Sequence, residues 1–283
     1  MENMNLQELK EFAANIRIGT LEQIGALGFG HLGGALSVAD TLAVLYGQVM
    51  RVDPKNPQWP ERDKFVCSKG HAGPAVYATL GLMGYFPYED ILTLNQPGTR
   101  FPSHCDRNKT PGVDMTTGSL GQGASLAVGM ALGDRLKGRE SRTFLMLGDG
   151  EINEGQVWEA AMLASSQRLN NLYVFIDNNK KQLDGYVKDI LDTGDIAYKF
   201  AAFGFDTQRI NGSDVAAIWE AIEQAAQITD RPHAIVLDTI KGAGVPEAEN
   251  TEANHSMTMT PEQARDWIAA LRRNMESTGG KHA

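Results

Sequence analysis

Residues 148–179 read GDGEINEGQVWEAAMLASSQRLNNLYVFIDNN, a Gly-Asp-Gly and an Asn-Asn pair separated by one βαβ unit. The run before it, Arg142-Thr-Phe-Leu-Met-Leu147, is short and apolar, as a buried parallel strand is. Residues 153–168 carry Val157, Ala161 and Ala164 at helical spacing. A second apolar run, Leu172-Tyr-Val-Phe-Ile176, then ends in Asp177-Asn178-Asn179. A right-handed crossover returns the second strand beside or near the first. Asp149 and Asn179 are thereby predicted at the carboxyl ends of parallel strands, where open α/β sheets bind ligands.

A carboxylate and a side-chain carbonyl in such places are hard oxygen donors. With diphosphate oxygens and water they suit Mg²⁺ or Mn²⁺, and also Ca²⁺. Gly148 and Gly150 let the backbone approach a phosphate, and the next helix presents its N-terminus to the anion. A lone Gly-Asp-Gly is usually only a turn. Joined by a helix of this length to Asn179, it matches the signature of a thiamine diphosphate site.

Outward from this unit the pattern is an α/β fold, a doubly wound and mostly parallel sheet with helices on both faces. Asn5 with Glu8 fits a capping box for a helix to about Ile24, broken by Gly25, Gly28 and Gly30 into a loop that carries His31. Ser37 with Asp40 repeats the cap before Leu42, Leu45 and Val49. Lys64-Phe-Val-Cys67 reads as a strand, 75–83 and 124–136 as helices, and 95–118 as a long loop. Residues 219–228 read as a helix and His233–Asp238 as a strand, followed by a loop over 241–258. Thr260-Pro261-Glu262-Gln263 starts a last helix, to about Met275. One domain is expected over 1–283, with a frayed tail at 278–283.

Hydrophobic residues make up 42% and charged residues 22%, ordinary for a globular protein, and the formal net charge of -9 argues against a broad nucleic-acid footprint. Cys67 and Cys105 alone make neither a disulfide framework nor a metal motif. No Arg-rich leader, secretory segment or 18-residue apolar run is visible, so a cytoplasmic protein without membrane association is expected.

Six separated motifs make the chain resemble the N-terminal half of a transketolase, from about Leu6 to Gly244. They are Gly30-His-Leu-Gly-Gly-Ala-Leu-Ser37, Asp63-Lys-Phe-Val-Cys-Ser-Lys-Gly-His71, Ser103-His104, Gly112-Val-Asp-Met-Thr-Thr-Gly-Ser-Leu-Gly-Gln-Gly123, the GDG…NN unit, and Thr239-Ile-Lys-Gly-Ala-Gly244. The resemblance implies thiamine diphosphate with Mg²⁺ as cofactors. His71, Gly118, Ser119, Leu120, Gly148, Asp149, Gly150 and Asn179 would bind them. Asp149, Asn179 and the backbone carbonyl of Lys181 would hold the metal. His31 and His104 would face the sugar hydroxyls, with His255 reaching both sugar and diphosphate. Imidazoles titrating near physiological pH suit that work, since they donate to phosphate or shuttle a proton. Glu154 would face the glutamate that a partner supplies to the cofactor's pyrimidine. Two departures stand out: Phe29-Gly30-His31-Leu32 replaces the family's Ser-Gly-His-Pro, and His255 sits in Asn254-His255-Ser256 rather than before a glycine.

A full transketolase continues into a pyrimidine-binding domain, so the expectation is one subunit of a split enzyme. A C-terminal transketolase-like subunit would complete an α₂β₂ heterotetramer moving a two-carbon ketol unit between sugars or sugar phosphates. Rivals of the same cofactor class are a 1-deoxyxylulose-5-phosphate synthase-like half and the α chain of a keto-acid dehydrogenase E1 component. From another class comes a non-catalytic, cofactor-binding regulatory subunit. The His31, His71 and His104 set favours ketol transfer.

Overall fold

The computed structural model describes residues 3–279. Helix α1 (Leu6–Leu27) starts at the expected capping box: the Asn5 side chain accepts from the backbone amides of Gln7 and Glu8, and Glu8 accepts from the Asn5 amide. It runs through Gly25 and stops at Gly28, where φ is +86°. Gly25 is not a breaker. A Cβ there would lie 2.6 Å from that of Ala264, so the glycine lets the last helix pack close to α1.

Strand β1 (Phe29–Gly30) leads into α2 (Gly33–Leu36), α3 (Ala39–Val44) and a π-helical turn at Leu45–Val49. Ser37 therefore does not cap a helix as the sequence predicts. It closes α2, and its hydroxyl donates to Asp177 at 2.7 Å. Next come β2 (Lys64–Cys67), α4 (Gly73–Leu82), a long irregular segment, α5 (Gln122–Leu136), β3 (Thr143–Gly148), α6 (Gly155–Ser166) and β4 (Leu172–Asn178).

A hairpin, β5 (Lys181–Gln182) and β6 (Gly185–Tyr186), precedes α7 (Val187–Leu191), α8 (Ile196–Ala202) and β7 (Asp206–Asn211). Helix α9 (Val215–Ala225) starts at the Asp214 cap, earlier than predicted, and leads to β8 (His233–Asp238). The expected 241–258 loop contains α10 (Pro246–Asn250) and β9 (Met257–Thr258), which pairs antiparallel with β1. Helix α11 (Pro261–Gly279) takes in Thr278 and Gly279 of the expected tail; residues 280–283 lie outside the described residues.

The central sheet is parallel throughout, in the order β2-β3-β4-β8-β7. Strands β3 and β4 are direct neighbours, with Gly148 opposite Asp177. Side chains alternate across the pleat. Phe144, Met146, Tyr173 and Phe175 enter a core shared with α1, α3, α4 and α9. Leu145, Leu147, Val174 and Ile176 enter a second core under α5, α6 and α8. Burial on both faces is why these strands read as unbroken apolar runs, and the sheet is doubly wound as predicted.

Candidate active site

Two aspartates stand where β3 and β4 end, and their surroundings differ. Asp177 is fully buried and accepts from Ser37, Lys69, Asn179 and Thr239. Burial alone would raise its carboxyl; the Lys69 ammonium and these hydrogen bonds outweigh that and hold it below the usual carboxylate range. By drawing in the Asn179 amide nitrogen at 2.7 Å, it fixes which way the Asn179 oxygen points. That oxygen accepts from the Lys181 amide at 3.1 Å.

Asp149 is almost as buried but receives only backbone amides, from Gly150 at 2.8 Å and Lys180 at 2.5 Å. Burial, and then the like charge of Asp177, push its carboxyl up to about 6. It is a carboxylate held in place without a side-chain cation of its own. Glu151 does a different job. It accepts from Ser68 and from the amides of Gly121 and Gly148, and so ties three loop segments together.

Four histidines converge on the same cavity, which has a volume of about 420 Å³. The His31 ring centroid is 5.7 Å from His71, 5.2 Å from His104 and 5.3 Å from His255, and His71 lies 4.6 Å from His255. His255 thus joins the group despite its unusual sequence neighbours. The expectation that these imidazoles titrate near neutral pH fails for His255 and His71. Burial, then the Lys241 ammonium, push His255 down to about 3; burial, then Lys69, push His71 well down; burial lowers His31 and His104 as well. His255 is therefore a neutral hydrogen-bonding group at physiological pH, and the other three are shifted in the same direction.

Gly118, Leu120, Gly148, Asp149, Gly150 and Asn179 line the cavity, as do Lys181 and Glu154. Ser119 is exposed beside it and does not line it. Glu154 is exposed at the rim, at the N-cap of α6. Gly121, at φ +84°, lets the loop before α5 approach it, since a Cβ there would sit 2.8 Å from the Glu154 Cβ.

A model of the transketolase, thiamine diphosphate binding domain matches residues 9–276. The chain belongs to the transketolase family. A Clostridium sp. (strain MSTE9) protein named 6-deoxy-6-sulfo-D-fructose transketolase subunit SqwG is 50% identical over 93% of this chain and 96% of its own length. An apulose-4-phosphate transketolase subunit from Actinobacillus succinogenes is 38% identical over 86% of this chain and 88% of its own. The crystal structure of Campylobacter jejuni transketolase superposes with a TM-score of 0.87 at 29% identity, covering 98% of this chain and 48% of that one. The chain thus spans about half the length of the solved transketolases it matches, and nearly all of relatives that carry subunit names. Like them it is a transketolase-type transferase subunit with a thiamine diphosphate-binding domain.

Sequence reasoning passed over four charged groups of this transketolase site: Lys69, Glu151, Asp177 and Lys241. Lys69 and Lys241 lay inside quoted motifs, each beside a glycine, which is the signal that could have found them. Lys241 is 3% exposed, yet its ammonium donates only to the carbonyls of Lys181 and Gln182 and to His255 Nδ1, at 3.0, 3.3 and 3.3 Å. Burial, then the Lys69 charge, bring it down to about 8. A buried cation that faces a cavity without a carboxylate bonded to it fits an anionic ligand. The oxygens of Asp149, Asn179 and Lys181 fit a hard divalent cation. Among the described residues no group of three or more His, Cys, Asp or Glu is placed to hold a metal, so any metal here relies on the one Asp149 carboxylate together with amide, backbone and ligand oxygens.

Proposed function

We propose that this chain is the diphosphate-holding subunit of a two-chain transketolase, which moves a two-carbon ketol unit from a ketose to an aldose. The observation that carries it is the single cavity joining Asp149, Asn179, Lys241 and four clustered histidines. Thiamine diphosphate, when bound, supplies a nucleophilic carbon and an electron sink. The chain's own residues do the rest. Asp149, Asn179 and the Lys181 carbonyl hold Mg²⁺, and Ca²⁺ or Mn²⁺ would suit the same donors. Lys241, His71 and the Gly148–Gly150 backbone meet the diphosphate, and Gly118 and Leu120 meet the rest of the cofactor. His31, His104 and His255 hydrogen-bond the sugar hydroxyls and exclude water. The named relatives bear the names of a sulfonated and a phosphorylated ketose, which suggests a donor with an anionic terminus.

The partner is a C-terminal transketolase-like subunit carrying the pyrimidine-binding domain. Support comes from the rim of the cavity, where Leu183, Ile190 and Leu191 are 63%, 49% and 59% exposed and Glu154 stands free to meet a carboxyl group. Apolar surface of this kind is usually covered by association, and an α₂β₂ assembly would cover it symmetrically. No helix among the described residues is long and apolar enough to cross a membrane. The two free cysteines accord with a reducing, cytoplasmic setting.

Reconstitution tests the reading. The chain mixed with a C-terminal transketolase subunit, thiamine diphosphate and Mg²⁺ should transfer ketol units from xylulose 5-phosphate or a sulfonated ketose to an aldose. The chain alone should not. Robust turnover without a partner, or no cofactor binding with one, would sink it.

A further inference from the structure

Lys181 enters the functional reading only through its main chain, yet its side chain is tightly engaged. Its ammonium donates to the carbonyls of Glu249 and Thr251, at 3.2 and 3.0 Å, and lies 5.6 Å from the centroid of the Tyr186 ring. Those carbonyls belong to the end of α10, where a cation is favoured by both hydrogen bonding and the helix dipole. In the opposite direction, Lys241 at the base of the same segment donates to the carbonyls of Lys181 and Gln182. Two lysines therefore cross-brace the β5–β6 hairpin and residues 241–251, each bonded to the other's backbone segment.

The bracing continues to His255. The Asn254 side chain donates to the carbonyls of Lys241 and Ala248, at 2.8 and 2.7 Å. The Asn254 carbonyl accepts from Gly33, two residues from His31, and the Gly33 carbonyl accepts from Gly242. A chain of bonds thus runs from the hairpin that follows Asn179, through the end of α10, to two of the four clustered histidines.

We infer that the Lys181 side chain is a positioning residue that ties the α10 turn to the β5–β6 hairpin and thereby holds His255 against His71 and His31. Its ammonium is bonded to the α10 carbonyls and faces the Tyr186 ring. The tie itself holds whatever binds in the cavity; its effect on turnover rests on the transketolase reading above.

Hydrogen–deuterium exchange and histidine ring-proton NMR on the full chain test it without any ligand. Lys181→Met keeps the apolar stem and removes the donors. It should speed exchange of the Thr251 and Gly33 amides about tenfold and shift the ring resonances of His255, His71 and His31. The His233 ring, at the far end of β8, should not move. Lys181→Arg should restore both signals, because a guanidinium can still donate to paired carbonyls. Lys188→Met, which removes the other cation over Tyr186, should change neither. Lys181→Gln, a shorter donor, is the second variant where Lys181→Met folds poorly, and it should loosen the same amides. Unchanged exchange and ring signals in the Met and Gln variants, or equal loosening in the Arg variant, overturn the inference. Failure of the wild-type chain to bind thiamine diphosphate with its partner would instead strike the functional reading and leave these results to decide the tie.

Discussion

The two ends of the central sheet handle buried charge in opposite ways. At the amino ends, Asp63 is fully buried and bonded to Arg142, Arg51 and two backbone amides, and Asp134 pairs with Lys64 and Arg139. Both acids there meet side-chain cations. At the carboxyl ends the pairing is partial: Asp177 has Lys69, whereas Asp149 and Lys241 are bonded only to neutral groups. Paired buried charge holds a fold; buried charge left without a bonded counter-charge is costly and persists where a ligand uses it. The difference separates a structural end from a functional one on the same sheet.

The strongest way to break that contrast is to remove one acid from each end. Asp177→Ala leaves the Lys69 ammonium buried and alone, and should cost about 3–5 kcal/mol of stability and cofactor affinity as well, since Asn179 loses its orienting acceptor. Asp63→Ala should cost a similar amount while the remaining folded protein binds cofactor normally. Denaturant unfolding and calorimetric titration read the two effects. Loss of cofactor binding in folded Asp63→Ala would erase the distinction.

Asp149 sharpens it at smaller cost. Asp149→Asn should leave stability within about 2 kcal/mol of wild type, because removing a buried charge repelled by Asp177 offsets the one backbone amide from which the new NH2 cannot accept. The same change should weaken Mg²⁺-dependent thiamine diphosphate binding at least about tenfold. The carboxyl is raised from 3.8 to about 6, so the folded state holds this proton more tightly than the unfolded chain. Its contribution to stability is complete below about 3.8 and is lost as pH rises through about 6. Metal binding has the reverse dependence, needing the ionised form. Cofactor affinity should therefore fall about tenfold per unit as pH drops below about 6, and fall again above about 8 as Lys241 loses its charge. A flat affinity profile from about pH 5 to 9 would contradict both assignments.

Legibility in the sequence follows the same division. Strands β3 and β4, the helix between them and the positions of Asp149 and Asn179 are readable because burial on both faces makes long apolar runs with polar residues only at their ends. The β7 edge strand is not, since Asp206–Asn211 is half exposed and has Ile210 as its one apolar residue. Asp177, Lys69 and Lys241 escape notice for another reason. A buried ion has no period, and its partner lies up to 108 residues away. The motifs located these residues but gave no sign of which charges were paired.

The smallest effect concerns Ser37, whose place before Asp40 suggests a helix cap but whose hydroxyl serves Asp177 across 140 residues. Ser37→Ala should cost about 1 kcal/mol, because Lys69, Thr239 and Asn179 still satisfy the carboxylate. Loss of a cap would cost about the same, so the size alone decides nothing. A double-mutant cycle does. If the hydroxyl acts through Asp177, Ser37→Ala in an Asp177→Asn background should lose most of its effect; if it caps a helix, the two costs should add. Additivity within about 0.3 kcal/mol would return Ser37 to the role its sequence position suggested and remove one of the four donors from the acid that orients Asn179.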